Sequence, residues 1–557
     1  MSKNIARIFA AVSFTAFFAS LLLPCQAVAA QAKLKSKALL IMLDGLRADA
    51  FDNIPMPNLE KLRAGQWQSG YKCAFSVTGW NLSDARPSSA ANHAAIATGV
   101  TAAKTKVYGN GQTKDGNFAE WPSWLARLAT SPQKYKTLYV YSWDENKDTA
   151  KHPAVTFHHG SDAANGAFLA NLLATAEAPD ATMLFIDLPD HGGHSEGFYP
   201  HSSKYQETII QSDDIIGKLL TSIQNRPTFA EEDWLILITS DHGGYAKSHG
   251  MNGSTANTIP VLVVGRNVVQ GIIPGVPRNY DLAVTALAHF GIDVKPLNLD
   301  GRVLGTTTSN LPKRPLTDGL VAYLPFETEP AANFASQDIA IEKIGGKIQS
   351  GIDDGKIGKC LRIPGGENIR ECLVLKGTEK LQLENSNNFT FTLWARLPNE
   401  QLGDPAIFCN KNWKDGRQAG FVLCGACKTE SVKKLGVCLN YGCQGDATRS
   451  DMGTFDIDVE QWTFYAVSIT PEGTVCFCQG KADGHFYWMV KDAKNAVINS
   501  GKTWNIGQDG TTNYRFNVQA DIDEFALWNR GLSIPEIRSI FDAGKQGKPL
   551  STLLNGF

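Results

Sequence analysis

Apolar runs of strand length alternate with helical segments through the first half of the chain. The runs lie at 38–43, 137–141, 183–188, 234–239 and 260–264. Residues 205–223 repeat apolar side chains at three- and four-residue spacing, which predicts an amphipathic helix with Ser202 or Ser203 as its N-cap. Strands that are apolar throughout, separated by helices, predict a mostly parallel sheet with helices on both faces.

The pattern changes after Leu304. A stretch rich in Thr, Ser, Asn and Pro follows to about Pro315 and is typical of a linker. Beyond it, short runs alternate in polarity or are rich in aromatic and β-branched residues, at 320–326, 389–397, 462–469, 474–478 and 522–528. Such runs, separated by Gly and Asn, predict an antiparallel β-sandwich.

Length and composition agree with this two-part division. The chain has 557 residues, too many for one ordinary core, and its 43% hydrophobic and 19% charged residues are typical of globular proteins. We therefore expect an α/β domain over 31–305, a linker over 306–316 and an all-β domain over 317–549. Because the 53 basic and 55 acidic residues nearly balance, we do not expect polymeric nucleic acid as a partner.

The N-terminal segment has the pattern of a secretory signal. Two basic residues precede an apolar run at 8–23, and an Ala-Val-Ala sequence at 27–29 fits a cleavage site. We expect a signal peptide over 1–30 and a bacterial protein that is secreted, periplasmic or on the cell surface. A lipoprotein anchor at Cys25 is the alternative, although Pro24 stands where a small residue is usual. No later stretch reaches the roughly 18 apolar residues of a spanning helix, so we expect no transmembrane segment.

Cysteines concentrate in the second half of the chain. Of eleven, nine lie between Cys360 and Cys478, and an oxidising compartment would permit disulfides among them. A zinc knuckle is the alternative for Cys424, Cys427, Cys438 and Cys443, but their spacing is irregular for one. We expect disulfides or buried thiols, with a pairing that the sequence does not give.

Acidic and histidine residues follow the apolar runs, at the edge where ligands of parallel sheets gather. Asp44 ends the first run, where its charge would need a cation; capping of the next helix is an equal alternative. Asp190 and His194 are four residues apart with two glycines between them, and a tight turn would bring both onto one ion. His191 and His201 lie close enough to confuse this assignment, and we expect at least one to be solvated or in a supporting role.

A further acidic and histidine pair follows the fourth run. Asp241 and His242 are adjacent, and both reach one metal only if the strand ends at Asp241 and the chain turns. Gly243 and Gly244 supply that turn. His249 would then return to the same place.

A nucleophile candidate, Ser89, opens an alanine-rich segment that stops at Gly99. A serine at this position is typical of a helix N-cap, and that interpretation is compatible with catalysis. The N-terminus of a helix favours an incoming anion, so a hydroxyl there is well placed to meet a phosphate group. Asn92, one turn on, could donate its amide to a nonbridging oxygen.

Over roughly residues 38–305 these motifs resemble the alkaline phosphatase superfamily, most nearly its type I phosphodiesterase and nucleotide pyrophosphatase branch. The matching segments are Ser89-Ala90-Ala91-Asn92-His93, Pro189-Asp190-His191-Gly192-Gly193-His194 and Ser240-Asp241-His242-Gly243. The resemblance implies an α/β sandwich and two divalent metal ions, with zinc preferred. One ion would be held by Asp190, His194 and His249, and the other by Asp44, Asp241, His242 and Ser89.

The resemblance also implies a hydrolase of small phosphate esters with a phosphoseryl intermediate. Serine replaces the branch's usual threonine, and serine is also the nucleophile of phosphomonoesterase relatives, so a monoesterase is an alternative. Sulfatases share the fold but need a C/S-x-P/A-x-R motif. Counted from Ser88 or Ser89, the fifth position is Asn92 or His93, so the required arginine is missing and phosphoric esters are favoured.

The second domain resembles the laminin G-like, concanavalin A-like jelly roll, on the residues of its opening, middle and closing strands at 320–326, 389–394 and 522–533. Such domains often bind glycans and sometimes calcium, so a glycan partner and a calcium site are expectations here. A glycan-binding or adhesion protein with an inactive first domain is a further alternative. If the cores are separate, a chain ending near Leu311 should fold and hydrolyse a small ester.

Overall fold

The computed structural model describes residues 34–82, 84–250, 254–308, 314–335, 339–377, 388–398, 401–425, 436–443, 449–470, 474–493 and 495–554. The expected signal peptide, part of the expected linker and Cys427 lie outside these residues. Within the described ranges, no helix combines the length and the apolar character needed to cross a bilayer.

The first domain is built on one eight-stranded sheet. Its strands are β1 (Lys35–Leu43), β2 (Lys72–Trp80), β3 (Thr137–Tyr141), β4 (Thr156–His159), β5 (Ala181–Ile186), β6 (Glu232–Ser240), β7 (Thr258–Gly265) and β8 (Gly271–Ile272). They lie in the order β4-β3-β5-β1-β6-β7-β2-β8. The five strands from β4 to β6 are parallel, while β7 runs antiparallel to both β6 and β2. The expected mostly parallel sheet is confirmed.

Helices cover both faces of this sheet. They are α1 (Pro57–Arg63), α2 (Ser89–Thr98), α3 (Ala102–Thr105), α4 (Trp124–Ala129), α5 (Asn146–Thr149), α6 (Asp162–Leu173), α7 (Leu188–Glu196), α8 (Ser203–Gln224), α9 (Ser254–Asn257) and α10 (Asp281–His289). Alternate residues of β1 enter two different cores: Leu39 packs in the layer of α8, and Leu40 in the layer of α2 and α10. Ser202 is the N-cap position of α8.

One strand ends earlier than its apolar run suggests. β5 stops at Ile186, and the chain then enters α7, with Pro189 in its first turn. Proline has no backbone N–H to donate to a ladder, so it suits the first turn of a helix better than a central strand. Asp190 therefore lies on a helix and not in a turn after a strand.

The second domain is an antiparallel sandwich, as expected. Its strands are β9 (Leu320–Leu324), β10 (Ala340–Ile344), β11 (Gln349–Asp353), β12 (Lys359–Glu367), β13 (Cys372–Lys376), β14 (Phe389–Arg396), β15 (Ala406–Cys409), β16 (Phe421–Gly425), β17 (Gly436–Cys443), β18 (Arg449–Asp456), β19 (Trp462–Ile469), β20 (Thr474–Gly480), β21 (Phe486–Asp492), β22 (Ala496–Val497), β23 (Trp504–Ile506) and β24 (Phe516–Trp528). They form two sheets, β10-β13-β23-β15-β16-β17-β18 and β11-β12-β24-β14-β19-β20-β21. In addition, β22 pairs with β17 in the first sheet and β9 pairs with β24 in the second.

Side chains from both sheets meet in one core, which includes Phe391 and Phe408. Helix α11 (Ile534–Lys545) covers the outer face of the β21-containing sheet, where Phe541 packs against Trp394. This packing continues to Leu554, beyond the expected end of the domain at residue 549. The closing helix is thus part of the same folded unit.

Candidate functional site

Strand order brings the proposed metal ligands to one edge of the first sheet. β1 and β6 are neighbours with Leu43 paired to Ser240, so Asp44 and Asp241, the next residues, leave the sheet side by side. β5 lies on the other side of β1, and α7 carries Asp190 from its carboxyl end. Ligands of parallel sheets gather at this edge, and three carboxylates meet here.

A first cluster joins Asp190, His194 and His249. Its ligand atoms all lie within 4.8 Å of one another. His194 Nε2 is 3.3 Å from Asp190 Oδ2, and His249 Nε2 is 3.7 Å from Asp190 Oδ1. The expected tight turn between Asp190 and His194 is wrong: the two side chains stand one turn apart on α7, where residues four apart are neighbours.

A second cluster is centred on His242. Its Nε2 atom is 3.3 Å from Asp44 Oδ1 and 3.3 Å from Asp241 Oδ2. The same atom is 3.1 Å from Ser89 Oγ. Two carboxylates, an imidazole and the proposed nucleophile therefore converge on one point.

The two clusters adjoin each other. Ligand atoms of Asp44, Asp190 and His242 also lie within 4.8 Å of one another. The rings of His242 and His249 stack at a centroid distance of 3.8 Å. This proximity is what a two-metal hydrolytic site needs, since its ions share one substrate group.

Three histidines direct Nε2 into these clusters, and the Nδ1 atom of each lies within hydrogen-bond distance of a backbone carbonyl oxygen. Nδ1 of His194 is 2.8 Å from the Lys247 oxygen, that of His249 is 3.0 Å from the Pro87 oxygen, and that of His242 is 2.8 Å from the Gly243 oxygen. A carbonyl only accepts, so each neutral ring carries its proton on Nδ1 and turns the Nε2 lone pair inward. Metal-binding histidines are oriented in this way.

Asp44 lacks the positive charge that its burial requires. Desolvation, together with the nearby Asp241 and Asp190, raises the pKa of Asp44 well above its usual value. Asp44 Oδ1 and Asp190 Oδ1 are buried and accept no hydrogen bond. Divalent cations would satisfy both oxygens, and the mixture of imidazole and carboxylate ligands without thiolate fits zinc.

Ser89 is the first residue of α2, with Ser88 at the N-cap position. Asn92, one turn along, is completely buried. Its Oδ1 accepts from the Leu82 N–H at 3.0 Å and from Asn279 Nδ2 at 2.7 Å, and its own Nδ2 donates to the Ser88 oxygen at 3.0 Å. Asn92 thus holds the backbone in front of the nucleophile, and its contact with substrate stays a prediction.

His93 was not among the predicted site residues, although it lies within the nucleophile motif. Its ring is completely buried, with Nε2 3.0 Å from Asp241 Oδ2 and 3.5 Å from Asp44 Oδ2. Its Nδ1 contacts the side-chain amide of Asn146. His93 therefore contacts two carboxylates of the second cluster, and the ligand atoms of Asp44, His93 and Asp241 also lie within 4.8 Å of one another.

Phe198 is a second residue that the sequence did not single out. A methyl group on Gly45, Gly193 or Gly244 would lie within 3.0 Å of its ring. Each of these glycines stands within two residues of a proposed ligand. The Phe198 ring also contacts His194 edge-on, at a centroid distance of 5.3 Å. The glycines let three ligand-bearing segments close on one aromatic ring.

The remaining histidines near the motif lie outside both clusters. His191 is largely exposed and pairs with Asp187 at 3.2 Å, and this hydrogen bond raises its pKa to about 9. His201 Nδ1 contacts the Tyr487 hydroxyl of the second domain at 2.8 Å. Among the described residues, the three acidic and histidine groups suited to a metal all lie in the first domain, so the calcium site of the second domain stays a prediction.

Comparison with known proteins agrees with this geometry. Residues 38–254 match the family described as type I phosphodiesterase / nucleotide pyrophosphatase. Residues 376–538 match the concanavalin A-like lectin/glucanases superfamily. Both resemblances drawn from the sequence motifs are confirmed. None of the curated proteins matches the chain.

Several solved structures are similar to parts of the chain. Murine ectonucleotide pyrophosphatase / phosphodiesterase 5, inactive and in complex with AMP, is 12% identical over 46% of this chain and 96% of that one, with a TM-score of 0.35. A 2-O GAG sulfatase is 10% identical over 61% of this chain and 82% of that one, with a TM-score of 0.37. The binding domain of Paraclostridial mosquitocidal protein 1 is 15% identical, with a TM-score of 0.31. The match covers 41% of this chain and 53% of that one, so this chain spans about half the length of that protein.

Proposed function

We propose that this protein is an exported two-metal hydrolase that cleaves a small phosphodiester or nucleotide-type pyrophosphate with a serine nucleophile. The observation that carries the proposal is the position of Ser89 Oγ. It lies 3.1 Å from His242 Nε2, an atom that Asp44 and Asp241 also approach. A hydroxyl among three ligand groups, at the positive end of a helix dipole, suits attack on an anionic phosphorus centre.

Two divalent cations held by these ligands would neutralise the phosphoryl oxygens and lower the pKa of the attacking hydroxyl. Ser89 Oγ forms a bond to phosphorus while the bond to the leaving oxygen breaks, and the leaving group takes up a proton. Water then attacks the phosphorus of this seryl intermediate, which still carries the second ester group. One water proton returns to the serine oxygen, and the remaining phosphate monoester is released. Asn92 holds the Ser88 carbonyl throughout, which keeps the nucleophile segment in register with the second cluster.

Separate substitution of Ser88 and Ser89 tests which of the two serines is the nucleophile. We expect Ser89→Ala to lose several orders of magnitude in turnover and to keep both metals, while Ser88→Ala keeps most activity. If the second N–H of the Asn92 amide donates to a nonbridging oxygen of the substrate, Asn92→Ala should cost about 2–4 kcal/mol in the transition state. If Ser89→Ala kept near-native turnover and Ser88→Ala lost it, the nucleophile would be Ser88.

The substrate class needs its own experiment. Purified protein would be offered bis-p-nitrophenyl phosphate, p-nitrophenyl phosphate and p-nitrophenyl sulfate under identical conditions. We expect the diester to be the best of the three by kcat/KM. A preference for the monoester would favour the phosphatase alternative, and a preference for the sulfate would contradict the phosphoric ester assignment. A metal-loaded protein that turns over none of them would favour the glycan-binding alternative.

A further inference from the structure

The second domain contacts the first through strand β21, which lies at one end of its sheet. The Asn53 side chain pairs with both backbone groups of Phe486 on that strand: its Nδ2 donates to the Phe486 oxygen and its Oδ1 accepts from the Phe486 N–H, both at 2.9 Å. Trp488 Nε1 donates to Asp52 Oδ2 at 2.8 Å. An end strand that would leave backbone groups unpaired is thus covered by the other domain.

The segment that meets β21 is the one that follows Asp44. It forms a short 3-10 helix, Ala48–Asp52, whose first residue packs into the apolar cluster of the second domain's outer sheet face. Between Asp44 and this helix, the buried Arg47 pairs with Asp49 at 2.8 Å and donates to the Phe198 oxygen at 2.8 Å. The contact with β21 is therefore tied to the backbone around the second cluster.

The same strand also reaches the segment after His242. Thr258 Oγ1 contacts the Val490 oxygen of β21 at 3.4 Å. Thr258 directly follows α9, and the Ala256 oxygen in α9 accepts from the Gly243 N–H at 2.9 Å. Gly243 is next to the ligand His242. One strand of the second domain thus touches two of the segments that leave the second cluster, those after Asp44 and after His242.

We propose that β21 positions the ligands of the second cluster, so that the second domain helps to set the geometry of the active site. The expected effect on activity rests on the proposed function, since a disturbed metal cluster lowers activity only in a metal-dependent hydrolase. It opposes the expectation that a chain ending near Leu311 keeps its activity. That shorter chain would lose every contact that Asn53 and Asp52 make with β21.

Full-length variants test this inference through metal affinity. Asn53→Ala removes both bonds to Phe486, and Trp488→Phe removes the bond to Asp52 while keeping an aromatic ring. The matched control is Trp413→Phe, which removes a similar bond from Trp413 Nε1 to the Asp404 oxygen, 2.8 Å, within the second domain. Zinc dissociation constants for both sites would be measured by competition with a chelator of known affinity, alongside Tm and kcat/KM.

We expect Asn53→Ala to weaken zinc binding at the second cluster by roughly tenfold or more, which is the range found for residues that orient metal ligands. Zinc binding at the first cluster should stay nearly unchanged. Trp488→Phe should act in the same direction, and Trp413→Phe should affect neither site. Unchanged zinc affinities in both variants, even with a lower Tm, would overturn the inference. Since affinity is read without a substrate, failure of the proposed function would appear separately, as a metal-loaded wild type that hydrolyses no ester.

Discussion

Replacement of Phe198 is expected to loosen both metal clusters at once. The ring supports Gly45, Gly193 and Gly244, each close in sequence to a proposed ligand, and it is fully buried. Phe198→Ala would leave a cavity at the point where these segments meet. The backbone around Asp44 and His194 could then shift into the space.

The expected size of the effect follows from the burial. A buried Phe→Ala change typically costs about 3–5 kcal/mol in the free energy of unfolding, more where the surroundings cannot collapse. Ligands that lose their support typically bind metal roughly 10–100-fold more weakly. Phe198→Leu fills more of the space and should show a smaller loss of both quantities.

Urea denaturation with and without zinc, combined with chelator competition, would measure both effects. Phe290→Ala is the matched control, because Phe290 is buried at the other end of the sheet, next to His289, whose carbonyl contacts Ser36 at the start of β1. It should lose stability without losing zinc affinity. If Phe198→Ala loses its full share of stability and binds both zinc ions as tightly as the wild type, the role of the ring is structural only.

Three further outcomes are expected. Exhaustive chelation should abolish ester hydrolysis, and about two equivalents of zinc, counted by elemental analysis, should restore it; full activity without metal would contradict the two-metal assignment. His93→Asn should weaken zinc binding and lower kcat with little change in KM, because the ring contacts Asp241 and Asp44 but no substrate. Burial raises the pKa of Asp523 to about 8, so the contribution of this group to the free energy of unfolding should fall by about 1.4 kcal/mol per pH unit between about pH 4 and 8. Asp523→Asn should remove this contribution from the slope measured in urea titrations.

The sign of the last effect follows from proton uptake. Between these pH values the folded protein keeps a proton on Asp523 that the unfolded chain releases. Stability from this group is therefore fully present below the unfolded pKa and is lost as the pH rises through the folded pKa. A slope that is identical in the wild type and in Asp523→Asn would show that the carboxylate is ionised in the folded state.

Much of the first sheet was predictable because its central strands are buried on both faces. An uninterrupted apolar run reports such a strand directly, as at β3, where the predicted and observed bounds agree. β2 and β4 escaped prediction because they are only partly buried and carry polar residues. β5 was drawn two residues too long, because Leu188 is apolar although it already belongs to α7.

The convergence of the proposed ligand residues was predictable for a different reason. Each lies just beyond a strand or in a glycine-rich motif, so the sequence marks it locally. His93 and Phe198 contact segments that are remote in the chain; His93 and Asp241, for example, are separated by 148 positions in the sequence. Apolar or imidazole side chains of this kind look like ordinary core residues until the packing is known.

The backbone just before Ser89 is hydrogen-bonded to the segment that carries His249. The Pro87 oxygen accepts both from the Gly250 N–H, at 3.0 Å, and from Nδ1 of His249. Pro87 lies two residues before Ser89, so His249, a proposed ligand of the first cluster, is held by the backbone that carries Ser89, the proposed nucleophile. A shift of that backbone would change the His249 orientation and the Ser89 position together. Substitution of Pro87 should therefore lower zinc affinity and turnover in parallel, whereas the loss of the Ser89 hydroxyl alone should lower turnover without lowering zinc affinity.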